Sequence, residues 1–186
     1  MNRRVDIAGC GPGSPEYVTP AARDAAGAAE VLVGARRLFD LFPRAAGRRV
    51  PLNGDIRGAL DAVEEAYRAG KRVCVLVTGS PGVCSLATSV VERLGRGKVR
   101  IVPGISSVQV ACARVGAEWE NIRIINAHDG QPRSGVSPAE AGGNTAIFLG
   151  RPASARWAAE LVDGMERAVR LFACEELTLP DERVRE

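Results

Sequence analysis

Three times before residue 108 this chain runs from an apolar stretch into a glycine-bearing turn and out into a helical pattern. The stretches are Val5–Gly9, Val73–Val77 and Val99–Val102, and the turns are Gly9–Gly13, Thr78–Gly82 and Pro103–Ser107. Val73-Cys74-Val75-Leu76-Val77 is apolar at every position, as in a strand buried on both faces of a parallel sheet. Strand–turn–helix repetition of this kind predicts a parallel α/β sheet with helices on its faces. The carboxyl ends of parallel strands share one edge, so the three turns are expected to line a single crevice.

The first turn looks like a dinucleotide fingerprint and fails as one. Gly9-Cys10-Gly11-Pro12-Gly13-Ser14 places Ser14 where the third glycine belongs. Pro12 removes one backbone N–H that a phosphate cradle would use. No acidic residue ends the next strand, Val31-Leu32-Val33-Gly34, where a ribose hydroxyl would be held. A nicotinamide oxidoreductase is thereby disfavoured.

The remaining elements follow from periodicity. Pro20 to Glu30 is alanine-rich and reads as a helix, and a short helix from Ala35 to Phe42 follows the next strand. Asp55 caps a helix carrying Ile56, Leu60, Val63 and Tyr67 on one face, ended by Gly70. The turn at Thr78–Gly82 is expected to open a helix directly, running to Leu94. A second unit begins near Gly116, with strands Ile122–Asn126 and Thr145–Leu149, a helix Ser154–Met165 and a last strand Ala168–Cys174. The stretch from His128 to Gly143 reads as a loop.

Composition narrows the partners. Aromatics at 4% and a formal charge of +3 argue against nucleic acid. No apolar run approaches the ~18 residues of a membrane span, and no signal peptide precedes the first strand. The five cysteines lack C-x-x-C spacing and read as buried, reduced thiols of a cytoplasmic protein. No metal-ligand cluster is visible.

Taken together, the turns resemble those of the tetrapyrrole methylase family, which transfers methyl groups from S-adenosylmethionine in cobalamin and sirohaem synthesis. The family's Gly-x-Gly-Pro-Gly followed by Val-Thr matches Gly9–Gly13 with Val18-Thr19, and its Gly-Asp-Pro-Gly appears as Gly79-Ser80-Pro81-Gly82. Val-Pro-Gly-Ile-Ser-Ser stands unchanged at Val102–Ser107. The resemblance continues through Val33–Leu38, Ala113–Gly116 and Glu175–Leu177, nearly the whole chain. Within the family the chain is most similar to members that methylate carbon 5 of a precorrin. The features concerned are Gly13–Tyr17, Arg36-Arg37 and Ala117–Asn121.

The resemblance implies two α/β domains with the cofactor in a cleft between them. A parallel-sheet N-terminal domain would cover 1–116 and a mixed-sheet C-terminal domain 117–186, the latter ending earlier than in relatives. It places S-adenosylmethionine against Pro12, Thr78, Gly79, Ser80, Val83, Ser106, Ser107 and Leu149, with Leu177 a further match. It places the precorrin or cobalt-precorrin against Gly11, Gly13, Arg36, Arg37 and His128. It also implies a homodimer, and a functional pairing with a carbon-15-methylating decarboxylase. Two departures stand out: Ser80 replaces the family's aspartate, and Asn126-Ala127-His128-Asp129-Gly130 keeps a histidine but loses an arginine.

Methyl transfer from a sulfonium to an electron-rich carbon needs positioning and water exclusion more than a nucleophile. A sequence with one histidine and no nucleophile–base constellation suits it, and no catalytic residue is assigned. Precorrins carry many carboxylate arms, which arginines bind bidentately; Arg36 and Arg37 are the first candidates, and a solvated helix start is their plain alternative. Arg133 is a weaker one. His128 could donate to a carboxylate or handle a proton near neutral pH, or be polar surface. Asp6 reads as a structural carboxylate, Glu16 as a helix-start charge, and Trp119 and Trp157 as packing residues. The rivals are methylation at another ring carbon, or a binding scaffold of the same fold that has lost catalysis.

Overall fold

A computed structural model describes residues 4–128, 130, 144–165 and 168–186, and the loop carrying Arg133 lies outside them. The chain divides into two compact units, one of residues 1–107 with 176–181 and the other of 108–175 with 182–186.

The first unit is built on five parallel strands, β1 (Val5–Gly9), β2 (Val31–Gly34), β3 (Arg48–Pro51), β4 (Val73–Val77) and β5 (Val99–Val102), in the order β3-β2-β4-β1-β5. Strands alternate their side chains between two faces, and both faces are covered. Ala8, Leu32, Cys74 and Leu76 point to one core, roofed by α1 (Pro20–Ala28) and α2 (Arg36–Phe39). Val5, Ile7, Val31, Val33, Val73 and Val75 point to the other, beneath α3 (Ile56–Arg68) and α4 (Ala87–Leu94). Double coverage is why β4 is apolar throughout and fully buried. Truncating Leu32, which has no exposure, would cost about 2–5 kcal/mol.

Asp55 caps α3 as its spacing predicts, accepting a hydrogen bond from the Gly58 amide at 2.9 Å. Thr19 caps α1 in the same way through the Ala22 amide. Three expectations need correction. First, α4 starts at Ala87 rather than at the turn after β4. Cys84 adopts a left-handed φ of 45°, which a helix cannot continue through, and Ser85 ties the segment by donating to the Pro81 carbonyl at 2.6 Å. Second, α2 stops at Phe39, short of the expected Phe42. Third, the edge strand β3 has no counterpart in the sequence reading. Arg48-Arg49-Val50-Pro51 has too little apolar alternation to announce itself, and proline is tolerated only because the strand is at an edge.

The second unit contains α5, which starts at the unit boundary (Ser107–Val115), the parallel pair β6 (Arg123–Ala127) and β7 (Thr145–Leu149), α6 (Pro152–Asp163), and the antiparallel pair β8 (Ala173–Glu175) and β9 (Arg183–Arg185). The expected strand Ala168–Cys174 is thus reduced to the shorter β8, and β9 follows it unforeseen. Ser154, with no exposure, caps α6 by accepting from the Arg151 amide at 3.1 Å and donating to its carbonyl at 2.7 Å. Trp119 is 55% exposed and not a core residue. Cys84 is exposed and Cys174 half-buried, so only Cys10, Cys74 and Cys112 are the buried thiols expected; all five are free.

Candidate functional site

The three turns meet because their strands, β4, β1 and β5, are neighbours in the sheet. Their backbones touch. A Cβ on Gly9 would stand 2.7 Å from Gly104 Cα and 2.7 Å from the Gly79 carbonyl oxygen. Gly11 and Gly79 exchange both backbone hydrogen bonds, at 2.8 and 3.3 Å, and each has a left-handed φ, 75° and 65°. The left-handed backbone favours glycine at both. Gly79 in turn lies against Ser106, whose Cα would be 3.7 Å from a Cβ added there.

The predicted crevice edge thus exists within the first unit. It gathers Gly11, Pro12, Gly13, Thr78, Gly79, Ser80, Val83, Ser106 and Ser107. Gly11 and Gly79 are buried, and Pro12, Gly13, Ser80, Val83 and Ser107 are half-buried. Local packing alone accounts for two of the glycines: a Cβ on Gly11 would strike the Tyr17 carbonyl at 2.7 Å, and one on Gly13 would strike Leu179 at 2.9 Å. Segment 176–181 folds onto this turn from the far end of the sequence, with Leu177 buried and Thr178 bonded to the Ser14 amide.

Arg36 and Arg37, adjacent in sequence, serve different neighbours. Arg37 Nη2 donates to Thr78 Oγ1 at 2.8 Å, tying the end of β2 to the turn after β4. Arg36 lines a separate notch with Phe39, Asp40, Arg49 and Pro51. Arg49 is a residue that sequence reading missed, since only the β3 pairing brings it beside Phe39.

The cysteine of the first turn is not poised as a nucleophile. Cys10 follows the first turn glycine, but burial pushes its thiol from 9.0 to about 12, with the Val77 hydrogen bond and the Arg37 charge opposing only weakly. Asp6 is committed to a bidentate pair with Arg100 at 2.7 Å on each oxygen, consistent with a structural carboxylate. No cluster of potential metal ligands occurs among the described residues. No helix among them is long and apolar enough to cross a membrane.

The larger groove, about 730 Å³, lies at the opposite edge, beside the amino ends of β2 and β3. Two of its cations are engaged: Lys71 pairs with Glu30 at 3.3 Å, and Arg72 donates to the Ala28 carbonyl at the end of α1. Ligands of open parallel sheets bind at the carboxyl edge, so this groove is a structural joint.

Residues 4–186 match the family model of the Tetrapyrrole (Corrin/Porphyrin) Methylases. This chain belongs to the tetrapyrrole methylase family. Among curated proteins it is similar to the cobalt-precorrin-7 C(5)-methyltransferase of Salmonella typhimurium, 35% identical over 124 residues, which are 67% of this chain and 61% of that relative. The chain thus spans less than two thirds of that relative. Among solved structures, the methyltransferase CobJ superposes with a TM-score of 0.85 at 25% identity, covering 98% of this chain and 85% of that one. The uroporphyrin-III C-methyl transferase of Thermus thermophilus complexed with S-adenyl homocysteine shares the fold, with a TM-score of 0.77 at 24% identity and coverage of 98% and 86%.

In the second unit, the β6–β7 register Ala127↔Leu149 brings His128 beside Gly150. His128 is exposed, its amide donates to Asn126 Oδ1 at 3.1 Å, and a Cβ on Gly150 would collide with its ring and carbonyl. Leu149 ends β7 at 47% exposure.

Proposed function

We propose that this chain is an S-adenosylmethionine-dependent methyltransferase acting on a precorrin ring carbon, carbon 5 in first place, in cobalamin biosynthesis. One observation carries the reading: three glycine-bearing turns lock backbone to backbone at the carboxyl edge of β4-β1-β5 in a member of this family. The Salmonella relative's name supports carbon 5, and the Thermus neighbour's bound homocysteine product supports the cofactor.

The residues at the edge fit that cofactor chemically. Hydroxyls of Thr78, Ser80, Ser106 and Ser107 and the backbone of the turns suit a ribose and an amino-acid end, while Val83 and Pro12 offer apolar surface. In the second unit Leu149 is the corresponding candidate. When bound, the cofactor supplies a methyl group on a cationic sulfur that departs as a neutral thioether. The chain's part is to hold the reactants in line and exclude water, which is why a site without a nucleophile suffices. Gly11, Gly13, Arg36 and Arg37 in the first unit and His128 in the second are assigned to the tetrapyrrole. The reading carries with it a cytoplasmic homodimer working beside a carbon-15-methylating decarboxylase.

Ser80, in the aspartate's place, favours one second reading, a scaffold of the same fold without turnover. Calorimetric titration with S-adenosylhomocysteine, beside NADH, tests the proposal. Micromolar binding of the homocysteine product alone is expected. Its absence would overturn the methyltransferase, and binding without turnover of a precorrin would leave the scaffold.

A further inference from the structure

We infer that Arg36 and Arg49, which line one notch with Phe39, form a clamp for one carboxylate arm of the tetrapyrrole; the inference rests on the proposed function and assigns a substrate contact to Arg49. The notch they line encloses about 300 Å³. It lies at the carboxyl edge of β2 and β3, since Arg36 opens α2 just after β2 and Pro51 ends β3, opposite Gly34 in the pairing. That is the edge where the glycine turns meet, and Arg37 spans the distance to Thr78.

Arg49 is held in place before any ligand arrives. Its guanidinium carbon lies 5.8 Å from the Phe39 ring centroid, and its Nη2 donates to the Phe42 carbonyl at 3.4 Å. A guanidinium fixed on an aromatic face loses less freedom on binding than a free one and keeps donors for a carboxylate. Arg36 makes no ion pair among the described residues. Asp40, one turn along α2 from Arg36, lines the same notch without pairing to either arginine. Two cations and one anion leave a single unmatched positive charge, which suits one carboxylate rather than a phosphate dianion.

The test titrates the full chain, loaded with S-adenosylhomocysteine, with cobyrinic acid, with fully esterified cobyrinic acid and with propionate. R49A is expected to weaken cobyrinic acid roughly 10- to 100-fold, the worth of one charge-assisted contact. R49K, which keeps the stem and the charge, should lose part of that and melt with the parent. The ester should bind parent and R49A alike, and homocysteine-product affinity should not change. Equal cobyrinic acid affinity in parent and R49A, or an equal loss for the ester, overturns the clamp while leaving the methyltransferase standing. Arg49-dependent binding of propionate but not of cobyrinic acid overturns it in favour of a small-anion site. A parent that binds no S-adenosylhomocysteine overturns the proposed function instead.

Discussion

The Ser14 amide donates to the Thr178 hydroxyl at 3.0 Å across 164 positions of sequence. Thr178 makes this bond from a left-handed backbone, φ 70°, which a β-branched residue rarely adopts. Next to it, Leu179 covers Gly13. A strained segment late in the chain is thus part of the first glycine turn's support.

Two effects compete at Thr178, and their sizes are separable. T178V removes the acceptor and keeps the strain, so it should destabilise by about 1 kcal/mol. T178G removes the same acceptor but relieves a strain of about 1–3 kcal/mol, less the entropy cost of glycine. Urea midpoints are expected to rank T178G at or above T178V. The reverse order would mean that the left-handed conformation costs nothing.

Gly9→Ala should be severe. Its Cβ would stand 2.7 Å from backbone atoms of two other turns, and backbone in a locked junction cannot give way. A loss of at least ~2 kcal/mol is expected, with loss of S-adenosylhomocysteine binding in calorimetry. Gly82→Ala is the contrast within the same motif. A Cβ there meets nothing within 4 Å, so stability should stay within ~0.5 kcal/mol of the parent.

Cys10 and Cys74 make stability fall at alkaline pH. Burial raises both thiols above the 9.0 of an exposed cysteine. The contribution is complete below pH 9. Above it the unfolded chain releases protons that the folded chain keeps, and stability drops by up to ~1.4 kcal/mol per pH unit per thiol. C74A should lose stability at neutral pH by leaving a small cavity, yet fall less steeply between about pH 9 and pH 11. Urea midpoints under reductant, parent against variant, read the difference in slope. Parallel slopes would show that Cys74 ionises in the folded state as it does in the unfolded one.

Asp6→Asn should leave cofactor-product affinity unchanged and cost ~1 kcal/mol or less. The carboxylate is engaged by Arg100, whose side chain is 56% exposed, and surface pairs of this kind contribute little. A tenfold loss of S-adenosylhomocysteine affinity would show that Asp6 serves the site rather than the β1–β5 pairing.

Much of this arrangement was legible in the sequence. The all-apolar run at Val73–Val77 announced a doubly covered strand, and Asp55 announced the start of α3. The recurrence of strand and glycine turn by itself placed three turns on one edge. Those signals are local: a period, a cap, a residue that tolerates a left-handed φ. Less visible were the features without such a signature. Arg48–Pro51 became a strand only by pairing with β2, and Cys84 broke the expected helix start only within its tied loop.

By itself, the sequence determined the parallel α/β class, the covered sheet and the kinship to the methylases, because burial period and turn chemistry are written in neighbouring residues. Only tertiary structure decided that Arg36 and Arg37 part company, that Arg49 lines one notch with Arg36 and Phe39, and that Thr178 holds Ser14. Each of those contacts joins residues whose separation along the chain carries no energy until the sheet has formed and brought them together.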